Sequence, residues 1–465
     1  VGHEEQRDLE RGLGDPRVRK SGGHRAALAL AGVAALLPAA GRAARPTEPY
    51  IPEPMPPGFR VEATELDGPV FADAKGRTLY RWPFRNMRNG VTGDGKGESN
   101  CGDAPSAESA GLMSPYPGGL LLPERETRPS CQQMWPPALA QASDKPVGLW
   151  TVIERRDGRR QWAYDGSALY TSARDRRPGD VLGGDSYRRD GDAPAVREPI
   201  QPKPDVPPGF SVATTLRGRM LLTSRGFSVY AFDGDTPKHS ACDAACEQRF
   251  VPVQAPATAH GHGEWSIFTR AGGERQWAFR GRPLYTFAED TRVRSLAGSD
   301  EPGWRNVYTQ EAPPPPAEFT VQPTPSGLVL ADARGRTIYR YACGDDAPDQ
   351  LSCEHPADTQ AYRLAMCGGS SAERCARNFP YVEAAPGARA SGRTWSVVEI
   401  DPASGHFATP GKPGALRVWA YRERPVYTFA GDERPGEVNA DGLGEFQAER
   451  EGYRAFWWRD EFFRR

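Results

Sequence analysis

His260-Gly-His262-Gly-Glu264 puts two imidazoles and a carboxylate close together, nitrogen and oxygen donors that could ligate a transition metal from an exposed turn. Asp233-Gly-Asp235 offers harder oxygen donors in a glycine turn, the chemistry that suits calcium. His260, His262, Glu264, Asp233 and Asp235 are therefore the metal candidates. Both patterns also have the composition of ordinary solvated turns, and no cofactor is assigned from them. With 7 histidines in 465 residues, the raw material for a metalloenzyme or a catalytic triad is scarce. No Gly-x-Ser-x-Gly elbow, phosphate loop or dinucleotide fingerprint occurs, and no Cys-x-x-Cys pair offers a zinc or haem attachment site. Paired carboxylates for glycoside cleavage stay open, because such pairs form in space rather than in sequence. No catalytic residue is assigned.

The 8 cysteines are even in number and grouped: Cys101 with Cys131, Cys242 with Cys246, then Cys343, Cys353, Cys367 and Cys375. That pattern suits disulfides in an oxidising compartment. The expected bridges are Cys101–Cys131, Cys242–Cys246, Cys343–Cys353 and Cys367–Cys375. The last four cysteines admit three pairings, so connectivity there remains open. The N-terminus agrees with export. A basic flank precedes an apolar run from Ala26 to Ala40, and small residues follow. This is the layout of a signal peptide over residues 1–45, with an alanine-rich helix or a membrane anchor as the alternatives. The run is short for a bilayer span of about 20 residues, and no other segment could span one. No cysteine stands at the cleavage region to take a lipid.

The third chemical feature is a tyrosine that recurs with an aspartate shortly after it. Tyr80, Tyr170, Tyr230, Tyr285, Tyr339 and Tyr427 occupy like contexts, and Asp175, Asp235, Asp290 and Asp432 close four of them. A tyrosine can stack a ligand or carry redox chemistry. Recurrence throughout the chain favours a structural part, because a reactive site is seldom needed six times. The tyrosines are read as core aromatics whose hydroxyl finds one partner. The aspartates are read as turn residues accepting backbone N–H groups. Trp162, Trp277 and Trp419 each precede a tyrosine by eight residues and are expected on the paired strand, packed beside it in one core.

These residues need elements to hold them, and the chain supplies the elements in triplicate. "PPGFRVEATELDG", "PPGFSVATTLRGR" and "PAEFTVQPTPSGL" open three segments that each run into a cysteine region. Each continues with a segment read as a strand ending in its tryptophan, "GLWTVIERRDG", "GEWSIFTRAGG" or "RTWSVVEIDPASG". Each then carries one of "QWAYDGSALYTSARD", "QWAFRGRPLYTFAED" and "VWAYRERPVYTFAGD". The modules expected are 50–200, 201–312 and 313–465, joined by proline-rich linkers and with a cysteine-rich insertion in the third. Within each module, two half-units repeat one theme of short alternating strands and glycine or aspartate turns. The 51 glycines and 45 prolines fit many short elements better than long helices. The fold class is all-β, with tandem repeats of short antiparallel strands in three two-part modules; the alternative is a six-unit β-propeller.

The phrase Tyr-x-aromatic-x-x-Asp, at Tyr230-Phe232-Asp235, Tyr285-Phe287-Asp290 and Tyr427-Phe429-Asp432, resembles the bacterial secreted repeat of unknown function, whose members are often predicted lipoproteins. The phrase is relaxed at Tyr170, where Ser172 replaces the aromatic, and lost after Tyr80. The resemblance implies an exported repeat protein and carries no activity with it. A net charge of −1 gives no field to attract nucleic acid. The function expected is a non-catalytic repeat protein of the periplasm or cell surface, structural or binding an unidentified protein or cell-envelope component. The alternative is an enzyme or metal-dependent binder with its site in the third module. Its motivation is that module's insertion and the aromatic-rich "FWWRDEFF" near the end.

Overall fold

Each module is built from hairpins whose turns are written into the sequence. In the second module, strand Trp265–Thr269 pairs with Arg275–Phe279, and Arg280-Gly281 then turns the chain into Arg282–Pro283. Both turn residues have positive φ, +48° and +73°, the two-residue turn that matches the twist of the flanking strands. Asp165-Gly166 does the same in the first module at +47° and +76°. In the third module Arg422 and Glu423 hold +49° and +67°, with glutamate where the other copies have glycine.

A computed structural model describes residues 47–81, 94–95, 98–99, 129–155, 157–183, 198–237, 239–343, 355–369, 371–390, 392–443 and 452–460. The signal region expected over 1–45 lies outside them, as do Cys101 and Cys353. Among the described residues the chain is mostly antiparallel strand, with four short α-helices, and every strand ladder joins residues of one expected module span.

The pairing reveals how the half-units combine. In the first module one five-stranded sheet runs Trp150–Glu154, Arg160–Tyr164, Ser167–Thr171, Leu79–Arg81, Glu198–Pro199. The third module repeats that order with Trp395–Ile400, Leu416–Tyr421, Arg424–Tyr427, Tyr339–Ala342 and Gly452–Ala455. In the second module the hairpin strands form a separate three-stranded sheet, while Tyr230–Phe232 still lies between Tyr285–Phe287 and Trp304–Asn306. Strands from both half-units thus interleave in one sheet. Six independent propeller blades would each need their own sheet, so the architectural unit is the whole module.

A smaller sheet covers this one. It is Phe210–Thr215, Gly218–Thr223 and Tyr308–Glu311 in the second module, and Thr320–Thr324, Gly327–Ala331 and Trp457–Asp460 in the third. The first module has the equivalent hairpin Arg60–Ala63 with Pro69–Ala72. Within the aromatic-rich segment, Trp457–Asp460 is therefore a closing strand, with Trp457 opposite Val329.

Two aromatic cores result, one on each face of the main sheet. Trp277 packs with Phe210, Trp265, Phe279 and Leu284. Tyr285 packs with Tyr230, Phe250, Phe287, Trp304 and Cys242. The first and third modules divide in the same way, Trp162 and Trp419 being separated from Tyr170 and Tyr427. The expectation that tryptophan and tyrosine share one core is therefore corrected. Trp277 lies opposite Leu284, whose carbonyl-side neighbour Tyr285 must point to the other face because strand side chains alternate.

The modules also dock on one another through the loop Thr64–Gly68 of the first hairpin. Asp67 accepts two hydrogen bonds from the Arg422 guanidinium, at 2.9 and 3.1 Å, and both side chains are buried. Glu65 accepts from the backbone N–H groups of Arg393 and Thr394, at 2.7 and 2.8 Å. Leu66 enters the tryptophan core of the third module, a burial that contributes about 2 kcal/mol. Toward the second module, Glu48 holds Arg219 at 2.8 and 2.9 Å and accepts from the Thr309 hydroxyl at 2.6 Å. Arg217 of the second module lies 5.4 Å from the ring centre of Trp458 in the third. Buried charges need such pairing to be tolerated at all.

Candidate functional site: paired tyrosines beside a disulfide

The two motif tyrosines of each module are direct cross-strand neighbours. Tyr80 lies opposite Tyr170, Tyr230 opposite Tyr285, and Tyr339 opposite Tyr427. All six are essentially without exposure. A hydroxyl that deep must find an acceptor, since an unpaired one costs several kcal/mol. The acceptor is the aspartate that closes the opposite half-unit. Tyr80 donates to Asp175 at 2.7 Å, Tyr230 to Asp290 at 2.8 Å and Tyr339 to Asp432 at 2.6 Å. In the second module the exchange is reciprocal, with Tyr285 donating to Asp235 at 2.7 Å.

Three of the four aspartates also tie down the loop that follows them. Asp175 accepts the Leu182 N–H at 2.8 Å, Asp432 that of Asn439 at 2.9 Å, and Asp235 that of Ala241 at 2.8 Å. The tyrosine oxygens accept in turn from the N–H groups of Gly183, Gly298 and Ala440, at 3.2, 3.3 and 3.4 Å. A β-carbon on Gly298 would stand 2.8 Å from the Tyr230 ring, so this close approach requires glycine there.

Burial governs the protonation of these groups. It pushes the Asp175 carboxyl up to about 7, and raises Asp235 and Asp432 as well. It also raises the hydroxyls of Tyr80, Tyr230 and Tyr339, and takes Tyr285 up to about 12. A carboxyl titrating near 7 has the pKa of a general acid–base. Asp175 is nevertheless 5% exposed, with one oxygen occupied by Tyr80 and the other by the Leu182 N–H. The arrangement holds a proton inside a brace and presents none to a substrate.

The disulfides sit against these tyrosines. Cys242–Cys246 and Cys367–Cys375 are bridged, and no described cysteine is free. Cys131 and Cys343 are bridged too, while their expected partners lie outside the described residues. In the second module Arg270 occupies the space beside Tyr285. It reaches Ser240 at 3.2 Å, Gln276 at 2.7 Å and the Cys242 carbonyl at 2.9 Å, and pairs with Glu247. Arg155 and Gln161 are its counterparts in the first module, 2.5 Å apart.

The third module solves the same packing problem with different residues. Ile400 and Val418 stand where the other copies have the arginine and the glutamine, and the insertion supplies replacements. Helix Pro356–Gly368 starts on His355, whose Nδ1 accepts the Ala357 N–H, with proline in its first turn, and stops at Gly369 in the left-handed region. Its inner face carries Gln360 and Arg363, three residues apart and so on one side. Gln360 accepts from the Tyr427 hydroxyl at 2.7 Å and donates to the Gly405 carbonyl at 2.6 Å. Arg363 is fully buried between the rings of Tyr427 and Tyr381, at 4.2 and 5.0 Å from their centres. Helix Ala372–Asn378, capped by Ser371, carries Cys375 back to Cys367.

The metal candidates do not converge. His262 faces Asp205 at 3.1 Å, and Glu264 pairs with Arg280 at 2.7 Å. Asp233 pairs with Arg305 and Arg282, whereas Asp235 belongs to the tyrosine brace. His260 joins neither group. Among the described residues no three His, Cys, Asp or Glu side chains gather to hold a metal ion. Sequence patterns did not point to Gln360, Arg363, Tyr381 and Tyr453. Glu48, Glu65 and Asp67 carried no signal, since their partners lie far along the chain.

What the fold defines is an all-β tandem-repeat protein of disulfide-stapled modules, each closed by a tyrosine–aspartate exchange between its halves. Residues 151–185, 266–300 and 416–450 each match the family described as a secreted repeat of unknown function. The secreted description and the disulfides agree on export. No curated protein and no solved structure matches the chain. Among the described residues no helix is long and apolar enough to cross a membrane.

Proposed function

We propose that the protein is a non-catalytic scaffold of the periplasm or cell surface, whose role is structural or the binding of a protein or another envelope component. The observation that carries this reading is the internal use of the reactive-looking groups. In every module one motif tyrosine and one motif aspartate are buried and hydrogen-bonded to each other. The two features peculiar to the third module point the same way. The insertion's helix Pro356–Gly368 packs into the tyrosine core, and strand Trp457–Asp460 of the aromatic segment closes a sheet. Buried ion pairs between modules favour one rigid body over three tethered beads. The test is in-cell cross-linking of the exported chain followed by mass spectrometry of the adducts. One envelope component recurring in the adducts is the expected result. Saturable turnover of a small substrate by the purified protein would overturn the reading.

A further inference from the structure

A cation as deep as Arg363 normally has a carboxylate beside it, because burying an uncompensated charge is costly. Among the described residues Arg363 has none. Its Nη2 donates to the Tyr381 hydroxyl at 2.7 Å and its Nε to Gln360 at 3.2 Å. Its Nη1 points at the bridge, 2.9 Å from Cys375 Sγ and 3.6 Å from Cys367 Sγ, with the Tyr453 hydroxyl at 3.5 Å. The corresponding arginine of the second module behaves differently. Arg270 is neutralised by Glu247 and touches the backbone carbonyl of Cys242 rather than either sulfur.

The two sulfurs of the third-module bridge are also unlike one another. Cys375 is wholly buried, while Cys367 is half-buried next to the exposed Met366. From this asymmetry we propose that Cys367–Cys375 is a site of reversible thiol–disulfide exchange, with Cys367 as the attacked sulfur and Cys375 as the leaving sulfur held by Arg363. An incoming thiolate forms a bond to Cys367 Sγ. The Cys367–Cys375 bond breaks, and Cys375 Sγ leaves with the electron pair as a thiolate at the guanidinium. A second thiolate then attacks the sulfur of the first reductant in the mixed disulfide and releases Cys367, which takes up a proton. Two thiols become one disulfide, and the bridge gains two electrons. A nearby cation lowers a thiol's pKa, and a leaving thiol of lower pKa departs faster. The thiolate also gives the buried arginine a counter-charge that no described residue supplies in the oxidised state. The other described bridge has no such device, so this property belongs to the third module and extends beyond a scaffold role.

The experiment equilibrates the full chain in glutathione buffers graded from oxidising to reducing. Free thiols are alkylated and each cysteine peptide is quantified. The bridge Cys242–Cys246 is the control within the same molecule. Cys367–Cys375 is expected to open with an equilibrium constant at least tenfold more favourable, which is about 30 mV for this two-electron couple. Equal or inverted order overturns the proposal. Glutathione in the mixed disulfide is expected on Cys367, and finding it on Cys375 overturns the assigned direction. Arg363→Gln should abolish the tenfold gap while Arg363→Lys keeps part of it; a gap unchanged in Arg363→Gln refutes the role of the charge. Should Arg363→Gln fail to fold, the comparison of the two bridges in the unaltered chain decides alone.

Discussion

Burial of Asp175 contributes to stability with a pH dependence opposite to that of an ordinary paired carboxylate. Its carboxyl ordinarily titrates at 3.8 and is pushed up to about 7 in the fold, first of all by burial. Between those values the folded chain keeps a proton that the unfolded chain releases, so raising the pH favours unfolding. The contribution is fully present below about pH 4 and is lost as the pH rises through about 7. At 1.36 kcal/mol for each tenfold change, the span amounts to roughly 4 kcal/mol. The perturbation is Asp175→Asn, which keeps the shape and an acceptor for the Tyr80 hydroxyl while removing the titration. Wild type and variant are compared by urea unfolding at several pH values from 4 to 8. Hydrogen exchange in strands Leu79–Arg81 and Ser167–Thr171 reports the first module locally. Asp235 and Asp432 are raised too and tilt both curves alike, so the difference between the two proteins isolates Asp175. Wild type should lose several kcal/mol relative to the variant as the pH climbs from 4 to 7. Parallel curves over that range would refute the reasoning.

Asp67→Ala leaves Arg422 buried without its carboxylate and should cost about 3–5 kcal/mol, visible as earlier proteolysis between the first and third modules. Tyr230→Phe leaves Asp290 Oδ2 and the Ser295 carbonyl short of a donor and should cost about 1–3 kcal/mol in chemical denaturation. Glu423→Gly relieves a left-handed residue and should raise stability by about 1 kcal/mol, because the ion pairs it gives up, 3.6–3.7 Å to Arg176 and Arg174, are worth only a few tenths. Millimolar calcium should leave the melting temperature unchanged, since Asp235 spends both oxygens on Tyr285 and Ala241 and Asp233 faces two arginines; a rise would restore a calcium site there.

What was legible in the sequence is what local chemistry writes there. Period-two alternation around Leu284 and Tyr285 gave the strands, and glycine and aspartate punctuation gave the turns, the one at Gly281 among them. Repetition exposed the modules, and the grouping of cysteines gave Cys242–Cys246 and Cys367–Cys375. Contacts that close over long loops left no trace. The exchange of Tyr80 with Asp175 spans 95 residues, and the clamp of Asp67 on Arg422 spans 355. Nor could sequence tell that Arg422, beside the left-handed Glu423 that replaces the glycine of the other copies, grips the first module. The insertion helix was hidden by its own novelty, since Gln360 and Arg363 replace residues that the other copies supply from a strand.

The tyrosine–aspartate exchange also restricts how such a chain can grow or shrink. The three matched segments each cover only the second half of a module, yet the hydroxyl of Tyr80, Tyr230 or Tyr339 needs the aspartate in that half. Loss of a matched segment alone would strand a buried phenol in the half that remains. Gain of one alone would add an aspartate with no tyrosine to receive. In this chain each matched segment therefore marks one complete module, and removal of a whole module is the step that leaves no such hydroxyl behind.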